Sequence, residues 1–343
     1  MDPLTLDELD RQLVHALQVD GRAPFSRIAA VLGASDRTIA RRYRRLRAAG
    51  ALRVVGLPDA AALGHVDWLV RMRCSPDSAM PVAAALARRA DTSWVQLVSG
   101  GTEITCITRT RSQSADGELL LQKLPRTPRI TVLSAHCILR GVAGLHGWPG
   151  RTAALSADQI AALRQPPAGP DAPEASDPDG PEVAGSAAPR AAAVPPPTAA
   201  DNGLLAALAK DGRASLTALA AATGWSETTV RRRLDELDRG TVLYFDVEIE
   251  PHLFGYTAEA MMWLTVAPAT LTATTRALAT HPQIAYAAAT TGPANVSASV
   301  ICRDLNELYE YIAGDIGSLP GVTSVETAPV VRRVKGGGTL LIP

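Results

Sequence analysis

From Ser35 to Gly50 the chain reads Ser-Asp-Arg-Thr-Ile-Ala-Arg-Arg-Tyr-Arg-Arg-Leu-Arg-Ala-Ala-Gly, and this run holds its most legible chemistry. Ile39, Tyr43 and Leu46 recur at i, i+4 and i+7, which makes one apolar helix face. At about 100° per residue, Arg37, Arg41 and Arg44 fall on the opposite side, with Arg45 close by. A guanidinium fork matches a phosphate or the paired acceptors of a guanine edge, so this row suits a DNA major groove. A helix that is only solvated mixes signs to gain i,i+4 pairs. Here Asp36 is the only acid, placed in the first turn where the helix dipole favours it. Ser35 is a natural N-cap and Gly50 a natural stop. Thr38 and Arg42 lie close enough to touch phosphate, although Arg42 equally suits pinning the helix within its own domain. Arg45 and Arg47 read as rim charges.

The elements that must position this helix lie on both sides of it. Thr5-Leu6-Asp7-Glu8 reads as a capping box that opens a helix to about residue 19. Asp20-Gly21-Arg22 makes a turn, residues 25–32 a second helix, and Gly33 its end. Three helices with a tight glycine turn before the last form a helix-turn-helix, whose final helix reads DNA. Residues 52–57 then look like a strand. Residues 68–74, 94–98, 103–110 and 130–139 are β-like, while 81–90 and 118–124 read as helical. The order β-α-β-β-α-β is that of the ferredoxin-like module. Residues 164–198, rich in Pro, Ala and Gly without an aromatic, read as an extended, disordered linker, with a short helix at 157–163 ahead of it.

After the linker the chain begins again. Asp211-Gly212-Arg213 repeats Asp20-Gly21-Arg22 at an offset of 191, Gly224 repeats Gly33, Ser226 repeats Ser35, and Thr229 repeats Thr38. Val230, Leu234 and Leu237 repeat the buried face, but Arg37, Arg41 and Arg44 become Thr228, Arg232 and Asp235. The second copy has one residue fewer between Leu237 and Gly240 than the first has between Leu46 and Gly50. Elements at 260–266, 271–280, 283–289, 295–302, 304–314 and 322–331 restore the β-α-β-β-α-β order, so the chain is a tandem duplication. The expected fold is α+β: two winged/helix-turn-helix three-helix domains, each followed by a ferredoxin-like module. The domains are 1–56 for DNA binding, 57–150 for dimerisation and effector binding, 151–198 as linker, 199–250 as second helix-turn-helix, and 251–343 as second module.

Composition narrows the classes. The chain has 343 residues with Lys+Arg equal to Asp+Glu at 34 each, so DNA affinity must come from a local patch rather than a global field. Four cysteines and six histidines show no metal-ligand or triad spacing. The expectation is therefore no metal, no cofactor and no catalytic residue, with reduced, buried thiols. Residues 1–10 are acidic without an apolar leader segment, and no run of 18 uncharged apolar residues occurs, so a cytoplasmic chain without membrane spans is expected. Trp68 and Trp263, each in the first strand of a module, suit core or interface packing.

Leu13 and Leu17, Asp20 and Arg22, then Ser35, Arg42, Tyr43, Leu46 and Gly50 follow the spacing L-x3-L, D-x-R and S-x6-R-φ-x2-L-x3-G. In this the chain resembles the Lrp/AsnC (feast/famine) regulators, twice over. The resemblance implies a sequence-specific DNA-binding transcriptional regulator acting on double-stranded DNA. Its modules would pair as a homo-oligomer or an intrachain pseudo-dimer. It also implies an amino-acid effector near a G-x-x-D motif. That motif reads Gly100-Gly101-Thr102-Glu103 in the first copy and Gly292-Pro293-Ala294-Asn295 in the second, neither with the aspartate. The expected DNA-facing set is Ser35, Arg37, Thr38, Arg41, Arg42, Arg44 and Arg45 with Ser226, Thr228, Thr229 and Arg232. The expected effector set is Gly100, Gly101, Glu103, Gly292 and Asn295. The alternative is an enzyme, because sirohaem decarboxylases also look like Lrp/AsnC proteins, some as two fused halves, and use histidine and arginine on a bound tetrapyrrole. Such an enzyme needs convergent His and Arg in the β-rich region, where His136 is the only histidine within a predicted strand.

Overall fold

The computed structural model describes residues 4–75, 77–111, 124, 126–127, 129–144, 148, 153–164, 198–240 and 242–338. Helices α1 (Glu8–Val19), α2 (Phe25–Leu32) and α3 (Asp36–Ala48) close over one core of Leu13, Leu17, Ile28, Ile39, Tyr43 and Leu46. The cap of α1 is Asp7, two residues after the expected Thr5. The Asp7 carboxylate accepts the Asp10 N–H and the Asp10 carboxylate accepts the Asp7 N–H. Ionised oxygens at both positions suit the positive end of the helix dipole better than a hydroxyl does.

Strand β1 (Leu52–Pro58) leads into the first module: β2 (His65–Cys74), α4 (Ala79–Ala87), β3 (Thr92–Val98), β4 (Glu103–Arg111) and β5 (Ile130–Ala143). The helix expected at 118–124 lies outside the described residues apart from Leu124. Next, α5 (Ala157–Arg164) packs on α1 and α2 with Leu163 buried in the first core. The imidazole Nδ1 of His15 accepts the N–H groups of Ala154 and Leu155 at 3.2 and 3.1 Å, which fixes this segment to α1. Residues 153–164, assigned above to the linker, thus belong with the first helix-turn-helix.

The second copy comprises α6 (Asn202–Lys210), α7 (Leu216–Thr223), α8 (Glu227–Arg239), β6 (Leu243–Ile249), β7 (Ala258–Val266), α9 (Leu271–Leu278), β8 (Ile284–Thr290), β9 (Val296–Cys302), α10 (Leu305–Tyr311) and β10 (Val322–Arg333). The turn after α8 has the same length as its counterpart. Val242 N–H donates to Leu237 O just as Ala51 N–H donates to Leu46 O, a separation of five in both. The glycine has moved one place earlier, to a helix end with φ −78°, whereas Gly50 sits at +67°.

The two copies meet across a pseudo-two-fold axis. β1 and β6 pair antiparallel with Val55 opposite Asp246, its own counterpart at offset 191. Arg22 donates to Gly212 O and Ala214 O at 2.5 and 3.1 Å, and Arg213 donates to Gly21 O and Ala23 O at 2.7 and 2.9 Å. This exchange explains the repeated Asp-Gly-Arg turns. Their glycines serve close approach: a Cβ on Gly212 would lie 2.9 Å from the Val55 carbonyl carbon, and one on Gly21 2.6 Å from Phe245 Cβ.

The eight module strands form one closed barrel in the order β10-β3-β4-β2-β5-β8-β9-β7, with β7 pairing β10. Registers repeat at an offset of 192. Trp68 faces Cys137 as Ala260 faces Pro329, and Ile138 faces Thr290 as Val330 faces Val98. Each last strand therefore pairs first with β2 or β7 of its own module, then runs on along the edge strand of the other. That continuation carries β5 to Ala143 and β10 to Arg333, past the ends their own modules require, and leaves no open edge.

Candidate nucleic-acid interface

Helix α3 turns Ile39, Tyr43 and Leu46 into the core, and this fixes what its other residues face. Arg37, Arg41 and Arg44 are exposed and form no ion pair among the described residues; the Arg44 Nε–H donates to Ala40 O one turn back. Arg42 and Arg45 turn instead toward α1. Arg42 Nη1 lies 2.6 Å from Asp7 and 3.0 Å from Asp10, and Arg45 Nη2 lies 2.5 Å from the fully buried Asp10. Of the two roles open to Arg42, the geometry shows the pin. Arg45 shares it rather than standing as a rim charge, because an unpaired carboxylate at Asp10 would be costly to bury. Arg47 bridges to Asp211 of the other copy at 2.7 Å. The Ser35 hydroxyl accepts the Thr38 N–H at 3.2 Å and contacts the Thr38 hydroxyl, so both residues build the helix start.

In the second copy Ser226 and Thr229 repeat that cap, and Arg233, the counterpart of Arg42, binds Asp201 at 2.7 Å and Glu236 at 2.9 Å. Thr228, Arg232 and Asp235 occupy the outward face, with Arg232 3.7 Å from Glu236. The scaffold is the same, but the outward charge is different: one arginine and one carboxylate replace three arginines.

The turns expected to serve an effector are engaged internally. Glu103, 3% exposed, is held by Arg71 and accepts the Ser99 hydroxyl at 3.0 Å. Gly100 and Gly101 take positive φ in the turn ahead of it. The Asn295 amide donates to Val266 O and accepts Val266 N–H, at 2.8 and 2.9 Å. Gly292 lies under the His136 ring, where an added Cβ would come 2.2 Å from Nδ1. Burial pushes the Cys106 and Cys302 thiols up to about 12, far from a reactive thiolate. Among the described residues no cluster of His, Cys, Asp and Glu could hold a metal ion, and no helix is long and apolar enough to cross a membrane.

Sequence reasoning missed the Arg22–Arg213 exchange. The repeat of Asp-Gly-Arg was visible, and its signal was a glycine where no positive φ is needed.

The AsnC-type helix-turn-helix model matches residues 6–47 and 199–238, and the Lrp/AsnC ligand-binding domain model matches 259–340. An uncharacterised HTH-type transcriptional regulator of Pyrococcus abyssi is 30% identical over 139 residues, covering 40% of this chain and 87% of the relative. The HTH-type transcriptional regulator LrpA of Pyrococcus horikoshii is 28% identical over 136 residues, or 39% of this chain and 96% of the relative. The whole architecture has a counterpart in the siroheme decarboxylase NirDL, at 14% identity and a TM-score of 0.57, covering 96% of this chain and 93% of that one. In complex with an iron-uroporphyrin III analogue the same protein gives 13% and 0.60, a likeness of fold. Matched at both helix-turn-helix domains and at a ligand-binding module, with the strand registers of its two modules repeated at an offset of 192, this chain belongs to the Lrp/AsnC family as a tandem duplication.

Proposed function

We propose that the protein is a transcriptional regulator that binds double-stranded DNA sequence-specifically through α3, with α8 as an unequal second reading helix. The observation that carries this reading is the outward row of Arg37, Arg41 and Arg44, on a helix whose Arg42 and Arg45 are engaged by α1. Three exposed guanidinium groups on one helical face fit phosphates and guanine edges. Relatives named as transcriptional regulators support it. The barrel gives one chain the paired arrangement that a single-module protein obtains only by dimerising. A small-molecule effector, such as an amino acid, completes the reading. Beside Asn295 its ammonium would find no carboxylate on the motif residue, so the two turns are unequal as effector sites. The test is footprinting of the purified full chain on its own genomic DNA, with and without amino acids. Discrete protected sites are expected, and uniform, sequence-independent occupancy would overturn specific regulation.

The whole-chain likeness to NirDL favours a second reading, a sirohaem decarboxylase-like enzyme. Against it stands the interior of the barrel. The cavity there measures about 130 Å³ and no histidine among the described residues lines it, whereas sites for drug-sized ligands run to roughly 300–1,000 Å³ and a tetrapyrrole is larger still. Mixing the protein with sirohaem decides the matter: a bound-tetrapyrrole spectrum with release of carbon dioxide would establish the enzyme.

A further inference from the structure

Past β10 the chain stays on the barrel. Residues 334–338 form a strap between β3 and the β1–β6 ribbon, touching the first module and both helix-turn-helix domains. The Val334 and Lys335 N–H groups donate to Val95 O at 2.8 and 3.1 Å, and the Trp94 N–H donates to Gly336 O at 2.9 Å. Lys335, 6% exposed, sends its ammonium to Arg89 O and Thr92 O, both at 2.6 Å. The Gly338 N–H donates to Glu248 Oε1 at 2.9 Å, while Glu248 Oε2 accepts the Arg53 Nε–H at 2.7 Å. One carboxylate thus joins the strap to β1, the strand that follows α3. Side chains have no room here: a Cβ on Gly337 would lie 2.7 Å from Leu57 Cδ1, and one on Gly338 2.8 Å from Ala209 O and 2.6 Å from Val55 Cγ1.

Three costs oppose this docking. Trp94 is held at φ 50°, in the left-handed region, where a bulky residue is strained and persists only because its surroundings enforce it. Tyr286, its counterpart in the second module, has no positive φ, so the strain sits where the strap docks. Lys335 buries an ammonium whose partners are two carbonyls, and burial holds its pKa below the ordinary 10.5. Ordering three consecutive glycines also takes more backbone freedom than ordering any other residue type. Against these costs stand a few hydrogen bonds, each of modest net worth in water. A segment so balanced opens locally, well below the free energy of global unfolding. The device is one-sided, because Ala143 stands at the position of Lys335 in the first copy and carries no ammonium.

We infer that residues 334–338 are a releasable latch. Docked, the strap fixes the helix-turn-helix pair to the barrel on one side; released, it frees Glu248 and lets that side of the pair move. The latch does not rest on DNA binding. Only its effect on how α3 meets DNA does, so the test uses no DNA. Native-state hydrogen exchange of the full chain reads docking directly, since the Trp94 and Gly338 amides donate across the strap contact. In the wild type both should exchange about 100-fold faster than the amides of β7, through opening of the strap alone. Gly338→Val, which places a side chain against Ala209 O, and Lys335→Met, which removes the ammonium, should each speed Trp94 by about a further tenfold and leave β7 unchanged. Movement of the pair is read by pulsed electron resonance between nitroxides on Ala30→Cys and Glu310→Cys, both exposed positions, in a Cys137→Ser background whose remaining thiols are buried. The distance distribution should broaden in Gly338→Val. A wild-type Trp94 amide as protected as β7 would mean that the strap opens only when the protein unfolds, and would overturn the latch. So would a Trp94 rate that neither variant changes, or a distance distribution that Gly338→Val leaves as it was.

Discussion

Arg71 and Trp263 stand at equivalent positions of the two modules, 192 residues apart, and stack on each other with the guanidinium carbon 4.0 Å from the ring centroid. In a symmetric pair each position would meet its identical copy. Here the duplication has allowed the two to diverge into complementary partners. Arg71 also holds the buried Glu103 of its own module and reaches Glu326 of the other, 2.8 Å from Nη1. One guanidinium therefore ties both halves of the barrel together.

Removing that guanidinium leaves a carboxylate buried without its counter-charge. Arg71→Met should cost about 3–5 kcal/mol of unfolding free energy, the usual penalty for breaking a buried pair. Adding Glu103→Gln should recover most of it, because the amide is neutral. Urea unfolding of the wild type and the two variants checks this. A double variant no more stable than the single would show that Glu103 is not the group in distress.

Stability should also report the state of His15. Burial lowers its pKa below the ordinary 6.5, and its Nδ1 must stay unprotonated to accept the Ala154 and Leu155 N–H groups. The folded protein thus resists a proton that the unfolded chain takes up below pH 6.5. The stabilisation is complete above pH 6.5 and is lost as the pH falls through the lower folded value. His15→Gln, which does not titrate, should flatten this part of the profile. Parallel profiles for both proteins between pH 7 and 5 would contradict it.

Arg41 and Arg42, adjacent in sequence, should fail in different ways. Arg41→Ala should leave stability unchanged and lower the salt slope of DNA binding by about 0.9 if it meets a phosphate, or cost about 1–3 kcal/mol at one base position if it reads guanine. Arg42→Ala should lower the melting temperature with the salt slope unchanged, since its partners are Asp7 and Asp10. Swapped results would mean that the outward face of α3 has been misassigned.

These contrasts show what a sequence can and cannot disclose here. The 3.6-residue period of Ile39, Tyr43 and Leu46 placed the buried face of α3, and with it the outward arginines, because both follow from local geometry. Whether Arg42 faces solvent or Asp7 is decided by a residue 35 positions away, which no local period encodes. Strand ends were least legible where the pairing is non-local: β5 continues to Ala143 only because β8 of the other module lies beside it. The effector turns were visible as glycine patterns, but their partners Arg71, Val266 and His136 come from other strands. The cavity left no sequence signal, since its lining is assembled from both modules and β6.

The two reading helices should be unequal because of one position above all. Arg44 of α3 corresponds to Asp235 of α8, on a scaffold whose caps and buried faces are otherwise the same. At the outward face a carboxylate repels phosphate, although it can accept from a cytosine amino group in the major groove. Asp235→Arg restores the charge that α3 carries there. If α8 approaches DNA, this variant should raise non-specific affinity and steepen the salt slope by up to about 0.9, the effect of one added phosphate contact. It should also blur any preference of the second half-site for cytosine. The measurement is fluorescence anisotropy of the full chain on one duplex across a salt series, wild type against Asp235→Arg, with Arg44→Asp as the mirror variant. An unchanged slope for Asp235→Arg beside a reduced slope for Arg44→Asp would show that only α3 touches DNA, and that α8 serves the fold alone.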